Sequence, residues 1–417
     1  MKILKKLFLI LICNVFFLNG CKKNSTEVEA PVFQRHNRVI SIYDINNNEI
    51  GKLTCMGYSA LINDNILYSK FSKINSEQNS SVEYWLYNIN DKSNTYLGIV
   101  DDYNYEATHE TTVYNDHVYL SISTGGYIDR NERTQFIYDI DLINHTMQPL
   151  LEIEGGIPYN SFTIFKDKLY LAELYENGDT DLIEYDLSQV PNNPPIVHRY
   201  DESKVFVHDS IRHLTATKDN IYMFRLDWNE DEEYFLYMDT YDADLNLVDT
   251  KNVNEICIPT DSEMDEHGIV NERKQWIAYL EVNDHYIYYE NFSAIRFIGT
   301  VNNGIQHLIN LNITFSMANE AGQCNDSDLL YITYGGNQAD KNKRNRLYLI
   351  DTNSGDIYQS DFYANDERYF FTWACRNDND KILLTMANAR YNATDKKLPD
   401  RLYYIDINDL NFIPLKS

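Results

Sequence analysis

A short phrase recurs along the chain at long intervals, and it constrains the fold more than any other feature. The copy at residues 114–120 is YNDHVYL, and related copies include INDNILY at 62–68, FKDKLYL at 165–171 and TKDNIYM at 217–223. Each copy is an apolar stretch, a polar turn and then Ile, Val or Leu beside an aromatic or aliphatic residue. Asn and Asp tolerate tight-turn dihedrals, and β-branched and aromatic residues suit strands. Each copy therefore predicts a β-hairpin.

Aligned on its turn aspartate, the phrase occurs seven times. The intervals are 52, 51, 52, 65, 44 and 52 residues, and the aspartates are Asp64, Asp116, Asp167, Asp219, Asp284, Asp328 and Asp380. A second strand phrase with an acidic or Asn/Gly ending follows most copies, as in YWLYNIND from residue 84 and RLYYIDIND from residue 401. A further strand, such as MQPLLEI at 147–153, comes next. Each unit thus supplies four strands, designated a to d, and long helical periodicity is absent.

Four-stranded units that repeat every ~40–50 residues are typical of a β-propeller. The predicted fold is all-β, a single β-propeller domain at residues 38–417 with seven four-stranded blades. Six or eight blades are the alternatives, because strand c of the fifth unit lacks the acidic ending. A β-sandwich pair or a β-solenoid does not explain paired phrases at this interval. We expect residues 38–53, which precede the first copy, to pair with the last blade and close the ring.

The N-terminal segment predicts export and lipid anchoring. Residues 1–20 contain three early lysines and then an apolar run at 7–18, which is short for a membrane span and typical of a signal peptide. The ending LNGC resembles the bacterial lipobox, which implies cleavage before Cys21 and lipid on that residue. An ordinary secretory signal or an anchor helix is the alternative. Residues 21–37 are then the lipidated cysteine and a flexible tether, and the predicted location is the cell envelope outside the cytoplasm.

The Tyr-rich hairpin pattern resembles the broad superfamily of bacterial YVTN- and TolB-like β-propellers, and propeller lipoproteins especially. The resemblance covers nearly the whole mature chain. It implies an architecture and no particular chemistry, because propellers host many unrelated functions.

The mature chain is strongly acidic. The whole chain has 36 Lys and Arg against 63 Asp and Glu, and removal of three lysines with the signal peptide leaves 33 − 63 = −30. Such a surface repels phosphate backbones, which argues against nucleic-acid partners. The expected partners are the membrane, through the lipid anchor, and a glycan, a peptide or an envelope protein.

Long connections are predicted to share one face of the propeller. The a–b and c–d turns are short, whereas b–c segments such as 123–134, 334–345 and 388–400 are long. Function collects most often on long loops held by a rigid scaffold, although neutral surface insertions are the alternative. Strand a is expected to line the central channel, and its N-terminal end opens on this face. The candidate ligand-binding residues at that end are His109, Glu110, Tyr159, Ser161, Arg212, His213, Trp276, Tyr369 and Trp373.

Two acidic segments, at 227–233 and 261–267, are expected on neighbouring blades of the same face. Ca²⁺ takes six to eight oxygen ligands, so Ca²⁺ is the cofactor that these segments suit. The candidate ligands are Asp227, Glu230, Asp231, Asp261, Glu263 and Asp265. The ordered spacing of an EF-hand loop is missing, so a solvated acidic surface is the alternative.

The four cysteines beyond the signal peptide and anchor have no zinc-ligand spacing, and they are either buried thiols or partners in a disulfide. They are Cys55, Cys257, Cys324 and Cys375.

Catalytic signatures are missing from the sequence. It contains no G-x-S-x-G, H-E-x-x-H, P-loop or dinucleotide fingerprint. The predicted function is a lipid-anchored, non-catalytic binding or scaffold module that uses the long-loop face. The alternative is an extracytoplasmic enzyme, such as a glycan-active hydrolase or lyase or a lactonase-like hydrolase, with its site at the channel mouth. Carboxylates are so numerous that a catalytic pair is neither identified nor excluded.

Overall fold

In the computed structural model the chain divides into two units, Met1–His36 and Asn37–Ser417, and every described residue belongs to the second unit. The structure describes residues 37–74, 80–101, 111–124, 134–153, 161–174, 180–188, 196–198, 210–216, 219–228, 234–252, 277–282, 286–291, 295–300, 304–310, 317–323, 329–335, 346–351, 354, 356–363, 369–376, 380–388 and 400–415.

The described residues form thirty β-strands and one 3-10 turn at Ile407–Asp409. The strands of the N-terminal half are β1 (Arg38–Tyr43), β2 (Glu49–Cys55), β3 (Gly57–Ile62), β4 (Asn65–Ile74), β5 (Ser80–Asn88), β6 (Asn94–Val100), β7 (Thr111–Tyr114), β8 (His117–Thr124), β9 (Thr134–Asp141), β10 (Thr146–Ile153), β11 (Ser161–Phe165), β12 (Lys168–Leu174), β13 (Thr180–Asp186) and β14 (Ile196–His198). Those of the C-terminal half are β15 (Ser210–Ala216), β16 (Ile221–Trp228), β17 (Tyr234–Tyr241), β18 (Leu247–Asn252), β19 (Ile277–Val282), β20 (Tyr286–Asn291), β21 (Ile295–Thr300), β22 (Gly304–Asn310), β23 (Met317–Gln323), β24 (Leu329–Gly335), β25 (Arg346–Asp351), β26 (Ile357–Tyr363), β27 (Tyr369–Arg376), β28 (Lys381–Asn388), β29 (Arg401–Asp406) and β30 (Phe412–Pro414).

These strands pair into seven sheets within the described ranges. The first five sheets each contain four consecutive antiparallel strands, beginning with β3, β7, β11, β15 and β19. The sixth contains β23–β26 with β30 at its edge, and the seventh contains β27–β29 followed by β1 and β2. Each turn aspartate of the repeated phrase falls between the first and second strands of a sheet. The predictions of an all-β chain and of recurring hairpins are therefore confirmed.

The shortest hairpins have the backbone geometry that their residues favour. Two residues connect β3 to β4, and Asn63 and Asp64 have φ values of 44° and 63°. Lys166 and Asp167 connect β11 to β12 with φ values of 50° and 61°. Two successive residues of positive φ match the twist of the flanking strands, and Asn and Asp adopt this conformation more readily than most residues.

Both ends of the described chain are held in sheets. Strand β1 pairs with β29 in the register Ser41↔Arg401 and Tyr43↔Tyr403, which confirms that this segment pairs with the last sheet. Its direction is parallel to β29, unlike the antiparallel fourth strand of the other sheets. That fourth position is open because β30, the next strand after β29, pairs with β26 of the preceding sheet.

The core lies between sheets, so the strands bury both of their faces. In β3, Ala60 and Ile62 pack with the second sheet, whereas Leu61 packs with the last sheet and with β1. This alternation follows from the two-residue period of a strand. Some first strands of successive sheets also contact each other: β7 with β11, β11 with β15, β23 with β27, and β27 of the last sheet with β3 of the first.

Candidate functional site

The two ends of most sheets differ in the length of their connections. In the third sheet, however, nine residues (187–195) separate β13 from β14 at the same end as the β11–β12 turn, and in the fifth sheet three residues separate consecutive strands at either end. At one end, two residues connect β3 to β4, β7 to β8 and β11 to β12. At the other end, nine residues (125–133) separate β8 from β9, ten (336–345) separate β24 from β25, and 24 (253–276) separate β18 from β19. We call these the turn end and the long-connection end. The predicted asymmetry between the two faces is confirmed for these connections.

The first strands of five sheets share an irregularity near the long-connection end. In β3, Tyr58 pairs with Tyr68 and Ala60 pairs with Leu67, so Ser59 is an extra residue with no partner in β4. The same one-residue shift recurs in β15, β19, β23 and β27, always with the extra residue on the first strand. These are β-bulges, which are over-represented beside active sites and redirect side chains. The five extra residues, which we call the bulge tier, are Ser59, Arg212, Ala278, Asn319 and Thr372.

The bulges lie at nearly one height above the turn end. Four paired residues follow the bulge in β15, β19, β23 and β27, and three follow it in β3. At about 3.4 Å per residue, the tier is therefore ~10–14 Å from the turns. Ser59 is partly exposed, whereas Ala60, Leu61 and Ile62 below it are 6%, 2% and 6% exposed. The tier marks the level at which this strand leaves the core.

Several of the residues predicted from sequence lie at or next to this tier. Arg212 is the bulged residue of β15, and His213 is the first paired residue after it. Trp373 holds the same position in β27, and Tyr369 begins that strand. Ser161 begins β11 and pairs regularly with Ala172, so this strand has no bulge at that position.

The sequence pattern does not indicate the bulged positions Ser59, Asn319 and Thr372. Hairpin phrases contain no signal for an unpaired residue, because a bulge is a property of the pairing between two strands.

The other predicted residues stay predictions. Asp227 lies in β16, but its side chain is not among those described. The remaining candidates lie outside the described residues and are Cys21, His109, Glu110, Tyr159, Glu230, Asp231, Asp261, Glu263, Asp265 and Trp276. Among the described residues, no group of three or more His, Cys, Asp or Glu side chains is arranged to hold a metal ion.

At the turn end, the acidic endings of the second phrase are turn caps. In the turns after the third strands, an Asn or Asp side chain accepts the backbone N–H two residues ahead, at 2.9 Å. The capping residues are Asn88, Asp141, Asp186, Asp242 and Asp406. Such Asx turns favour these residue types over others. Hydrogen bonds from the backbone and side chain of Asn144 hold the pKa of Asp141 below its ordinary value.

The turn aspartates of the first phrase have a structural role through their backbone. The carbonyl oxygens of Asp64, Asp116, Asp167 and Asp380 accept N–H groups from the turn after the third strand of the same sheet, at 2.9–3.1 Å. The repeated phrase and the acidic endings are thus bonded to each other in these four sheets. Both recur because they close the turn end of a sheet.

Asp64 also connects the first sheet to the last. Its carboxylate accepts hydrogen bonds from the Lys381 ammonium at 2.6 Å, from the Tyr404 hydroxyl and from the Asn90 side-chain amide at 3.0 Å. Partial burial opposes ionisation of Asp64, but these three hydrogen bonds outweigh it and lower the pKa of the carboxyl. The same contact raises the pKa of Lys381, and burial raises that of Tyr404.

A small cavity lies at the turn end between the first two sheets. It measures about 160 Å³, and its lining includes Asn63, Asp116, Leu142 and His145. Ligand pockets for drug-sized molecules are usually ~300–1,000 Å³. The cavity is therefore too small to replace the long-connection end as the main candidate.

Cys55 is the last residue of β2, and its free thiol is buried in the core that β1 and β2 share with the first and last sheets. Burial raises its pKa to about 12. The ranges that the structure describes contain no apolar helix of membrane-spanning length.

No protein-family model matches this chain, and no curated protein is detectably similar to it in sequence. Among solved structures, the β-propeller domain of the Trilobed protease from Pyrococcus furiosus has 12% identity and a TM-score of 0.50, over 87% of this chain and 95% of that one. Raptor from Chaetomium thermophilum has 8% identity and a TM-score of 0.46, and the match covers 90% of this chain but only 31% of Raptor. The Dos1 propeller has 10% identity and a TM-score of 0.39, over 70% and 69% of the two chains.

The similarity to the propeller domain of the Trilobed protease concerns the fold alone. Together with the succession of four-stranded antiparallel sheets, it supports a β-propeller architecture. Because propellers carry many unrelated functions, the likeness assigns no activity.

Proposed function

We propose that this protein is a lipid-anchored β-propeller outside the cytoplasm, which acts as a binding or scaffold module for a glycan, a peptide or a partner protein. The observation that carries the proposal is that the long connections and the bulge tier lie at the same end of the sheets. Long connections supply variable contact surface, and bulges supply positions freed from the regular ladder.

The structural role of the turn end also favours binding at the long-connection end. Its recurring polar residues are used in turn caps and in contacts between strands and sheets. Substitutions at the turn end would remove hydrogen bonds that hold the sheets together. Binding residues can therefore vary at the long-connection end with a smaller loss of stability.

A seven-bladed ring is the arrangement that we propose for the seven sheets. The number of sheets in the described ranges equals the number of repeated phrases, and β27 of the last sheet contacts β3 of the first. In such a ring the first strands surround the channel, and the bulge tier lies at its mouth.

Membrane attachment is proposed to depend on Cys21. Replacement Cys21→Ser is expected to move the protein from the membrane fraction to the soluble extracytoplasmic fraction, because no acyl chain is added. Cys55→Ser is the matched control and should leave the protein in the membrane fraction. Retention of the Cys21→Ser variant in the membrane fraction would contradict the lipid anchor.

The binding surface is tested with the full-length protein in detergent on arrays of oligosaccharides and peptides. Replacing residues 336–345 between β24 and β25 by an Asn-Gly turn is expected to abolish or strongly weaken capture. The control is Ile143→Ala, which changes an exposed side chain at the turn end. If capture survives the shortened connection and is lost in Ile143→Ala, the binding site lies at the turn end, and the proposal is contradicted.

A further inference from the structure

We propose that the outer edge of β6, in the first sheet, is a docking site for an extended, non-acidic segment of a partner protein, which adds to the sheet as a fifth strand. Among the described residues, no strand pairs with this edge of β6. The site is additional to the one at the long-connection end, because it runs along the side of the sheet, whereas the bulge tier lies on the first strands.

The molecule itself adds a fifth strand at this position in two other sheets. Strand β30 pairs antiparallel with the outer edge of β26, beginning with Tyr358↔Pro414. Strand β2 pairs antiparallel with the outer edge of β1 in the last sheet. Only three residues of β30 pair with β26, and the backbone N–H of Leu415 donates to the carbonyl oxygen of Ile357 at 2.7 Å. A short extended segment is therefore sufficient to occupy the outer edge of a fourth strand.

Other outer strands carry features that oppose an added strand, and β6 has fewer of them. Charged residues lie in β2 and β18, Pro149 lies in β10, Pro414 lies in β30, and β14 has only three residues. Charge, proline and short length are the usual protections of an exposed strand edge. Strand β6 has seven residues, NTYLGIV, with no proline and no Lys, Arg, Asp or Glu. Strand β22 has the same composition in these respects, but its side chains are not among those described.

Two large apolar side chains of β6 are exposed on one face. Tyr96 and Ile99 are each 46% exposed. They pair with Trp85 and Glu83 of β5, which are two residues apart and therefore lie on the same face. Leu97, by contrast, is 6% exposed and packs in the core. A strand added beside β6 removes the apolar surface of Tyr96 and Ile99 from water.

The side chains next to Tyr96 and Ile99 are held in place by their own contacts. The Tyr96 ring packs edge-on against Trp85, with centroids 5.1 Å apart. The Lys70 ammonium lies 3.8 Å from the centroid of the Trp85 ring and forms an ion pair with Glu83 at 3.2 Å. The indole N–H of Trp85 donates to Glu83 at 3.0 Å. The surface is thus ordered before the partner arrives, which lowers the entropy cost of binding.

A bulge divides β6 into two regular segments. The register shifts at Leu97, which has no partner in β5. Bulges are one of the features that discourage an added strand. Strand β26 also pairs irregularly with its inner neighbour, and its first residues nevertheless pair with β30. The corresponding regular part of β6 is residues 94–96, so we expect the partner segment to begin its pairing there and to pass Ile99.

Backbone chemistry and charge define the partner. A strand edge offers alternating N–H and C=O groups, which another extended backbone pairs along its length. The formal net charge of −27 disfavours an acidic partner, and it disfavours a second copy of this chain for the same reason. The partner segment is therefore extended, carries apolar or aromatic residues at alternate positions and has no excess of acidic residues.

The test uses the full-length protein in detergent and a fluorescent nine-residue peptide that alternates Val, Ile and Tyr with Lys and Thr. Ile99→Lys places a charge at the edge and removes an apolar contact, so the affinity measured by anisotropy is expected to fall about tenfold. Leu247→Lys is the matched control, because Leu247 is also 46% exposed and lies in the outer strand β18. Its affinity should stay within about twofold. Tyr96→Lys is the second variant if Ile99→Lys lowers the unfolding temperature.

Hydrogen–deuterium exchange then locates the bound peptide, and slower exchange of the β6 amides is expected. A peptide with N-methyl groups on alternate residues lacks the donors along one edge and should not bind measurably. Absence of saturable binding overturns the proposal, as do equal losses in the Ile99 and Leu247 variants, retained binding of the N-methylated peptide, or protection only outside β6. A dimer of the protein that dissociates in Ile99→Lys would assign the edge to a second copy and likewise overturn the peptide partner.

Discussion

The hydrogen bonds around Asp64 predict a measurable cost when its charge is removed. In Asp64→Asn the side chain keeps its shape but accepts hydrogen bonds from Lys381 and Tyr404 without a negative charge. Hydrogen bonds to charged groups contribute about 1.5–3 kcal/mol each, and partial exposure reduces the contribution of the ion pair. The Lys381 and Asp64 side chains are 23% and 22% exposed, so we expect a total loss of about 2 kcal/mol.

The assay is thermal unfolding followed by circular dichroism. With an unfolding entropy of ~2.1 cal/mol/K per residue over a propeller of ~380 residues, a loss of ~2 kcal/mol lowers the midpoint by about 2–3 °C. Asp116→Asn is the matched control, because Asp116 occupies the same turn position in the second sheet and is exposed. Its midpoint should change by less than about 1 °C.

The pH dependence of the stability difference between wild type and Asp64→Asn tests whether the Asp64 charge is responsible. Because the folded pKa of Asp64 is lowered, its stabilisation is present above the unfolded carboxyl pKa of about 3.9 and is lost as the pH falls through the folded pKa. The difference between wild type and Asp64→Asn should therefore shrink below about pH 4. Equal midpoints for the Asp64 and Asp116 variants at pH 7 would refute this account, as would a difference that persists unchanged at low pH.

Three further predictions concern the N-terminal hairpin and its surroundings. Ile42→Ala is expected to lower the free energy of unfolding in urea by about 2–5 kcal/mol, because Ile42 of β1 is fully buried. Val39→Ala, at a 52% exposed position in the same strand, should lower it by less than about 0.5 kcal/mol, and similar losses in the two variants would contradict the closure by β1. Gly51→Ala should lower the free energy of unfolding by about 1–3 kcal/mol, because a Cβ at this position overlaps the Tyr87 hydroxyl. Gly57→Ala should have a much smaller effect, because the nearest atom to its new Cβ is Ser69 Oγ at 4.0 Å, and equal melting temperatures for the two variants would disprove the overlap. The Cys55 thiol should resist alkylation at pH 8 in the native protein and react on unfolding, as measured by peptide mass mapping; rapid native labelling would contradict its burial.

The repeated phrase allowed the sheets to be predicted because it encodes local structure. Turn residues such as Asn63 and Asp64 favour the φ values found, and the consecutive apolar residues Ala60, Leu61 and Ile62 are typical of a strand buried on both faces. The order of strands then followed from the spacing of the phrases.

Features that depend on pairing between distant segments could not be predicted from the sequence. The parallel direction of β1 and the pairing of β30 with the sixth sheet depend on which distant strand occupies the open edge of each sheet. The contact from Asp64 to Lys381 and Tyr404 joins residues more than 300 positions apart. Arg212, His213 and Trp373 lie at one level of their first strands, and only the pairing register shows that this level is a set of bulges. Their role in ligand binding stays a prediction.

The central claim, that ligand binds at the long-connection end, is tested most directly by hydrogen–deuterium exchange of the full-length protein with and without the tightest ligand from the arrays of oligosaccharides and peptides. We expect slower exchange in the first halves of β15, β23 and β27, with unchanged exchange at the turns around Asp64, Asp116 and Asp167. Protection confined to those turns, or absent from the first strands, would contradict it.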